Sequence, residues 1–149
     1  MSDTLTETLQ MEMKAGKALY VEIRTPEGSS YSGGASSVLL PGTKGSMGIL
    51  PRHAPLLSSL EVGFVRVRDP LGTEWPFVTG LGFVEVHDNH VLVLVDFADS
   101  VAEIDVERAK EALQRAKARL RTPSEEVDVT RAEAAMHRAV TRLRYATMG

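Results

Sequence analysis

Residues 83–120 read FVEVHDNHVLVLVDFADSVAEIDVERAKEALQRAKARL, and the spacing of their apolar residues changes part of the way along. As far as Val95 the apolar residues alternate with polar ones or run together, as in β-strands. From Val106 onward they recur every three or four residues, which indicates an amphipathic helix. The sequence therefore predicts an all-β N-terminal sandwich over residues 18–101, followed by an α-helical antiparallel hairpin over residues 102–149.

The part before residue 102 has the pattern of an antiparallel sandwich. Leu19, Val21 and Ile23 alternate with polar residues, as in a strand with one buried face. Further strands are predicted at 38–40, 64–68, 75–78, 83–86 and 91–95. Turn-forming residues such as Pro41-Gly42 and Asp88-Asn89 stand between them. Short strands with no helical pattern between them favour two small sheets packed face to face.

The part after residue 102 shows two helical stripes. The apolar positions are Val106, Ala109, Leu113, Ala116 and Leu120 in the first stripe and Val129, Ala132, Met136, Ala139 and Leu143 in the second. Pro123 ends the first helix, and the short connection predicts antiparallel neighbours. Burying alanine instead of leucine forfeits about 2 kcal/mol per position. The two helices therefore gain little stability from each other, and we expect the hairpin to depend on a surface against which it docks.

Composition and charge exclude several classes of protein. The 149 residues are 43% hydrophobic and 25% charged, which is typical of a globular protein. The net charge of −3 gives no basic field for nucleic acid, and the absence of cysteine excludes disulfides and thiolate zinc sites. Residues 1–102 carry 7 basic and 12 acidic side chains, whereas residues 103–149 carry 10 basic and 8 acidic ones.

No apolar run approaches the roughly 18 residues that a membrane-spanning helix needs. Residues 1–17 lack the features of a signal or transit peptide, and we predict that they form a disordered tail. We expect a protein that stays in the compartment where it is made.

Motifs for catalysis, metal binding and phosphate loops are weak. His87 and His90 flank a predicted hairpin tip, where solvated imidazoles are a simpler interpretation than a four-ligand zinc site. The glycines at 42–48 and 80–82 lack the spacing and the following helix of nucleotide-binding loops, so we interpret them as backbone bends. The residues give no positive signal for an enzyme, and we predict neither catalytic residues nor a metal.

The arginines of the hairpin have two interpretations. Arg108 and Arg115 are seven residues apart, and Arg142 lies one turn beyond Arg138, so each pair shares a helix face. In an antiparallel hairpin these forked guanidinium groups would converge near one edge, and they suit phosphate oxygens. A solvated face with ion pairs, such as Glu111 with Arg115, accounts for the same pattern.

Four blocks, in order along the chain, resemble the ATP synthase epsilon chain family, whose mitochondrial equivalent is called delta. They are VEIRTPEG at 21–28 with YSG at 31–33, PG at 41–42 leading to GILPRHAPL at 48–56, GLGFVEV at 80–86, and IDVERA at 104–109. The similarity covers residues 18–146. It implies the same sandwich and helical hairpin that the apolar spacing predicts independently.

The resemblance also implies a non-catalytic subunit of the rotary F-type ATP synthase. In this family the sandwich is clamped to the gamma subunit and rests on the ring of c subunits, so it turns with the rotor and couples proton translocation to ATP synthesis in the alpha–beta head. By similarity, the loop over 42–53 faces these partners. His53 lies near gamma, and Ser46 stands where many members carry an acid that meets the c ring. The implied location is the cytoplasmic face of the bacterial inner membrane, as a peripheral protein.

A regulatory role for the hairpin is implied in the same way. In bacterial members the hairpin lies folded on the sandwich or extends into the head, where it blocks ATP hydrolysis. Some members hold the folded form by binding ATP, which is then a regulatory ligand and not a required cofactor. The positions that match this motif are Ile104, Asp105, Arg108, Ala109, Arg115, Arg138 and Arg142. Asp99 stands where such members can have a glutamate, and Asp105 is also explained as a helix N-cap.

An alternative from another class is a free-standing nucleotide-binding regulatory protein with the same fold. A subunit of the synthase would cofractionate with membranes through an extrinsic complex, whereas a free-standing sensor would be a soluble monomer.

Overall fold

A computed structural model of the chain describes residues 3–101, 106–121 and 129–146. Within these ranges the elements, in chain order, are helix α1 (Asp3–Lys14), strands β1 (Leu19–Thr25), β2 (Gly28–Ala35), β3 (Ser37–Gly42), β4 (Gly45–Ile49), β5 (Leu56–Leu60), β6 (Gly63–Arg68), β7 (Glu74–Thr79), β8 (Gly82–His87), β9 (His90–Val95) and β10 (Ala98–Ser100), and helices α2 (Val106–Arg121) and α3 (Val129–Ala146). The chain divides into two compact units, Met1–Ala98 and Asp99–Gly149.

The strands form the predicted β-sandwich. Their order is β10-β7-β6-β3-β5-β8-β9-β1-β2, with β4 paired to β3. The described backbone joins β3 to β5 through one residue pair, Gly42 with Leu60. Antiparallel pairing joins β1 to β2, β5 to β8, β6 to β7, β8 to β9, and β3 to β4, β5 and β6, whereas β1 and β9 run parallel, with Val21 opposite Val91. That pairing differs from the all-antiparallel sandwich predicted from the sequence, because β1 inserts between β9 and β2.

The core follows the predicted alternation. Leu19, Val21 and Ile23 of β1 are fully buried, whereas the polar residues between them are not. Complete burial of such a side chain contributes about 1.5–3 kcal/mol. The other buried apolar residues of the sandwich core are Ala35, Val38, Leu40, Ile49, Leu60, Val65, Val67, Phe77, Val84, Val86, Val91, Val93 and Val95.

Four strands are absent from the sequence prediction, namely β2, β4, β5 and β10. β2 reads GSSYSGGA, and Ala35 is its one buried residue. Such strands are held by backbone hydrogen bonds to neighbours, here along the whole length of β1, more than by apolar side chains. Their small and polar residues therefore leave little hydrophobic signal.

The structure corrects the prediction of a disordered tail over residues 1–17, because residues 3–14 form α1. The helix ends at Lys14, and Gly16 beyond it has a φ of 71°. The Gly16 N–H donates to the Met13 carbonyl at 3.0 Å and the Lys17 N–H to that of Glu12 at 2.8 Å, which is a Schellman cap. Leu9 lies against Gly34, where an added Cβ would come within 2.9 Å of it. A helix this short is marginal alone, so docking to the sandwich stabilises it.

In the second unit, α2 and α3 pack along the predicted alanine seam. Ala109 and Ala116 of α2 and Ala132 and Ala139 of α3 are buried. The larger residues at the ends of the stripes, such as Val129, stay partly exposed. The sandwich followed by a helical hairpin is therefore confirmed, with a seam that buries little apolar area.

Among the residues that the structure describes, no helix has the length and apolar character needed to cross a membrane.

Candidate functional site

The residues predicted to bind nucleotide fall on both helices of the hairpin. Ile104 and Asp105 lie outside the described residues. Arg108 and Arg115 are exposed on α2, and Ala109 between them is buried in the seam. Arg138 and Arg142, which belong to the same predicted site, are half-buried on α3.

Arg142 makes a close ion pair that sequence reasoning did not predict. Its Nε donates to Asp99 Oδ2 at 2.6 Å. The side chains are 29% and 36% exposed, so solvent screens the pair only in part. The two residues are 43 positions apart, and the pair ties α3 to the residue at which the second unit begins. A phosphate group would therefore compete with the Asp99 carboxylate for Arg142.

Of the two residues predicted to contact partners, Ser46 lies on β4 and His53 lies in the loop that follows this strand. Ser46 is exposed near the start of the strand, opposite Pro41 of β3. His53 lies in the loop between β4 and β5, half-buried, with its Nδ1 2.7 Å from the carbonyl oxygen of Ala54.

The sandwich also exposes three large apolar residues on one outer face, here called the apolar cluster: Leu57, Phe83 and Leu94. Phe83 and Leu94 are cross-strand partners on β8 and β9, and Leu57 of β5 is diagonal to Phe83. Their exposed fractions are 74%, 55% and 47%. Sequence reasoning missed this cluster, although the unbroken apolar run of β9 signals a strand that is covered on both faces.

The weaker motifs have structural explanations. Asp88 and Asn89 have φ of 46° and 62° and form the two-residue turn of the predicted hairpin. His87 and His90 flank this turn and are exposed. No group of three or more metal-ligating side chains occurs in the described parts of the chain. A Cβ on Gly82 would overlap the carbonyl oxygen of Leu94, so a glycine is needed here for the close approach of the two backbones.

Comparison with known proteins agrees with this architecture. The model of the "ATP synthase, Delta/Epsilon chain, beta-sandwich domain" matches residues 18–101, and that of the "ATP synthase, Delta/Epsilon chain, long alpha-helix domain" matches residues 102–147. The chain belongs to the delta/epsilon family of ATP synthase subunits.

Its named relatives are epsilon chains. The ATP synthase epsilon chain of Pelotomaculum thermopropionicum is 45% identical over 104 residues, which are 70% of this chain and 77% of that one. That of Carboxydothermus hydrogenoformans is 46% identical over 69% of this chain and 78% of its own length. That of Synechococcus elongatus is 42% identical over 73% and 79%. The predicted family is therefore confirmed, and the function is that of the epsilon subunit of F-type ATP synthase.

Solved structures share the fold. A chain of the Euglena gracilis mitochondrial ATP synthase, from a structure of its OSCP, F1 and c-ring, superposes with a TM-score of 0.72 at 22% identity, covering 89% of this chain and 82% of that one. A chain of the Tetrahymena thermophila central stalk and c-ring gives a TM-score of 0.51 at 20% identity, with 87% and 94% covered.

Proposed function

We propose that this epsilon chain is a non-catalytic coupling subunit of the rotor. Its sandwich binds the gamma subunit and rests on the ring of c subunits, so that proton translocation is transmitted to ATP synthesis in the alpha–beta head. The complex holds it at the cytoplasmic face of a bacterial inner membrane as a peripheral protein. ATP is a regulatory ligand, and no cofactor is required.

The apolar cluster is the observation that carries the proposal. Leu57, Phe83 and Leu94 form a contiguous patch on the outer face of the sheet, where a free protein would present polar side chains. Aromatic and aliphatic side chains of this kind provide the anchors of protein interfaces. We assign this face to the gamma subunit, and we place the His53 loop at the edge of the same interface.

Substitutions in the apolar cluster test the attachment. Phe83→Ser combined with Leu57→Ser is expected to weaken binding to an alpha–beta–gamma complex at least tenfold, since two buried anchors cost about 2 kcal/mol or more. Leu71→Ser is the matched control, because Leu71 is 93% exposed in the turn between β6 and β7. Equal binding by the double variant and the control would show that gamma binds elsewhere.

The hairpin is proposed to inhibit ATP hydrolysis when it extends along gamma into the head. Its alanine seam supports this, because helices joined through small residues separate at low cost. The test compares ATP hydrolysis by the alpha–beta–gamma complex with the full chain or with residues 1–102 added. Slowing by the full chain alone is expected. If neither form slows hydrolysis while both bind gamma, the protein is a coupling clamp without an inhibitory hairpin.

ATP is proposed to stabilise the folded hairpin by binding to the residues that match the family motif: Ile104, Asp105, Arg108, Ala109, Arg115, Arg138 and Arg142. Exposed guanidinium groups on α2 and half-buried ones on α3 supply donors suited to phosphate. Asp105→Ala combined with Arg138→Ala is expected to lower ATP affinity without unfolding the sandwich. Arg119→Ala, at an exposed arginine of α2 outside the motif, is the control. Unchanged affinity in the double variant would leave these residues with structural roles.

A further inference from the structure

The loop that carries His53 is held in an unusual backbone conformation. Arg52, directly before His53, has a φ of 71°, in the left-handed region that residues with a side chain seldom occupy. Its N–H donates to the side-chain Oδ1 of Asn89 at 2.7 Å. The His53 N–H then donates to the Leu50 carbonyl at 3.1 Å and closes the turn. Such a conformation persists where surrounding contacts determine it.

Those contacts lead to helix α1. The side-chain Nδ2 of Asn89 donates to the Met13 carbonyl at 2.8 Å, in the last turn of α1. The guanidinium Nη2 of Arg52 donates to the Ala15 carbonyl at 3.1 Å. A single amide side chain thus bonds the loop with its oxygen and the helix with its nitrogen. Gly16 makes room for this arrangement, because a Cβ there would overlap the Arg52 side chain.

The bonds are favourable for both partners. Carbonyls at the C-terminal end of a helix carry partial negative charge, so the guanidinium at Ala15 is a favourable donor, as is the amide N–H₂ at Met13, whose carbonyl also accepts from the Gly16 N–H. The helix in turn limits the positions that Arg52 and Asn89 can adopt. Residues 1–17 lie outside the sequence matched by the sandwich family model, which begins at residue 18.

We infer that α1, acting through Asn89 and Arg52, positions the His53 loop for binding the gamma subunit. The inference rests on the proposed contact between this loop and gamma. Asn89 and Arg52 are positioning residues, since they act on the loop and not on the partner. The N-terminal helix then affects the affinity for gamma of an interface that a different part of the chain forms.

Two pairs of variants of the full chain test the inference. Gln10→Pro breaks α1 in its middle at an exposed position, whereas Gln10→Ala keeps the helix and serves as its control. Asn89→Asp keeps an acceptor for the Arg52 N–H but cannot donate to the Met13 carbonyl. Its control is Arg24→Ala, at an exposed arginine paired with Glu22.

Two measurements are made on each variant: hydrogen exchange at the Arg52 amide, and the affinity for an alpha–beta–gamma complex. We expect Gln10→Pro and Asn89→Asp each to speed exchange at Arg52 and to weaken gamma binding about tenfold, with both controls unchanged. A change in thermal stability alone, with binding and exchange as in the parent chain, would overturn the inference and leave α1 as a stabilising element.

His53→Ala separates this inference from the proposed function. If His53→Ala weakens gamma binding while Gln10→Pro does not, the loop contacts gamma and α1 does not position it, so the inference is wrong. If Gln10→Pro speeds exchange at Arg52 but neither variant changes gamma binding, the proposed loop contact itself is wrong, and the inference fails with it. Loss of binding in both variants, with intact controls, supports the two together.

Discussion

Asp99 Oδ2 lies 2.6 Å from Arg142 Nε, so the carboxylate at the start of the second unit already engages an arginine proposed to bind phosphate. The pair joins α3 directly to Asp99. The same pair opposes nucleotide binding, because Arg142 cannot donate its Nε hydrogen to Asp99 and to a phosphate at full strength at the same time.

Neutralising Asp99 is therefore expected to strengthen ATP binding. A partly exposed ion pair is worth about 0.2–1 kcal/mol, so Asp99→Asn is expected to raise the affinity for ATP by up to about fivefold. Arg142→Ala lowers it, since a donor is lost. Isothermal titration of ATP into the full chain measures both effects. A drop in affinity for Asp99→Asn would instead make Asp99 a ligand of the nucleotide.

Asp69 makes the sandwich sensitive to acid. Its Oδ2 accepts from Trp75 Nε1 at 3.0 Å, and its Oδ1 accepts from the N–H groups of Leu71 and Thr73 at 2.9 Å each. The hydrogen bond from Trp75, followed by the backbone bonds, lowers the pKa of Asp69 below its usual 3.8. Because the native pKa lies below that of the unfolded chain, this contribution is present above about pH 4 and is lost as pH falls through the native pKa.

Thermal unfolding between pH 6 and pH 3 tests the role of Asp69. The parent chain is expected to lose more stability over this range than Asp69→Asn, in which an amide nitrogen opposes the Trp75 N–H at every pH. Glu27→Gln, at an exposed carboxylate in the turn between β1 and β2, is the control. Identical acid sensitivity in the parent chain and in Asp69→Asn would contradict the assignment.

Thr79 is a site where a single substitution should stabilise the sandwich. It is fully buried in β7, and its Oγ1 has no hydrogen-bond partner among the described residues. Thr79→Val removes an unsatisfied hydroxyl at nearly constant shape, and an increase of about 1 kcal/mol in the free energy of unfolding is expected.

Urea denaturation measures the gain. Thr141→Val is the contrasting variant, because Thr141 Oγ1 donates to the His137 carbonyl at 2.8 Å, and it should not gain stability. A loss of stability in Thr79→Val would indicate that the Thr79 hydroxyl has a hydrogen-bond partner, such as a bound water.

Ser46 allows a test of the proposed contact with the c ring. It is exposed on β4, at the place where the family resemblance implies an acid in many members. Ser46→Glu should strengthen binding of the chain to an isolated c ring by up to about fivefold at low salt, the effect of one surface ion pair, and the gain should fade as salt is raised. Ser46→Gln is the uncharged control, and an equal gain in both variants would exclude an ionic origin.

Removal of the hairpin should leave the sandwich intact. Residues 1–102 retain every described strand and the buried Val101. We expect this fragment to unfold cooperatively and to bind gamma with the affinity of the full chain, as measured by calorimetry and by titration. Loss of gamma binding in the folded fragment would place part of the interface on the hairpin.

The sequence predicted those elements whose burial is periodic. Leu19, Val21 and Ile23 lie on the buried face of a strand, and Ala109 and Ala116 lie on the buried face of a helix. Their spacing along the sequence therefore predicts both the type of element and the buried side. β2 has no such spacing, since backbone pairing to β1 holds it and its side chains stay largely exposed. The same reasoning explains why β4, β5 and β10 were missed.

The contacts that define the candidate sites are of a kind that spacing does not report. The Asn89 side chain forms hydrogen bonds with backbone groups of residues 13 and 52. Because nearly every residue type has these groups, the amino acids at the two positions do not predict the bonds. Asp99 and Arg142 are 43 residues apart and are brought together only by the tertiary structure. Leu94 belongs to the run 91–95, in which the apolar residues on both sides of the sheet look alike, and the structure was needed to identify its outer face.

The parallel pairing of β1 with β9 has a consequence for synthesis of the protein on the ribosome. Val21 finds its partner Val91 only after 70 further residues have been made, which takes about 4–14 s at ordinary rates of translation. Until then β1 has β2 alone, and an isolated two-stranded hairpin is marginally stable in water. The nascent chain therefore carries the apolar face of its first strand unprotected for seconds, and β9 is the segment whose emergence allows the sandwich to close.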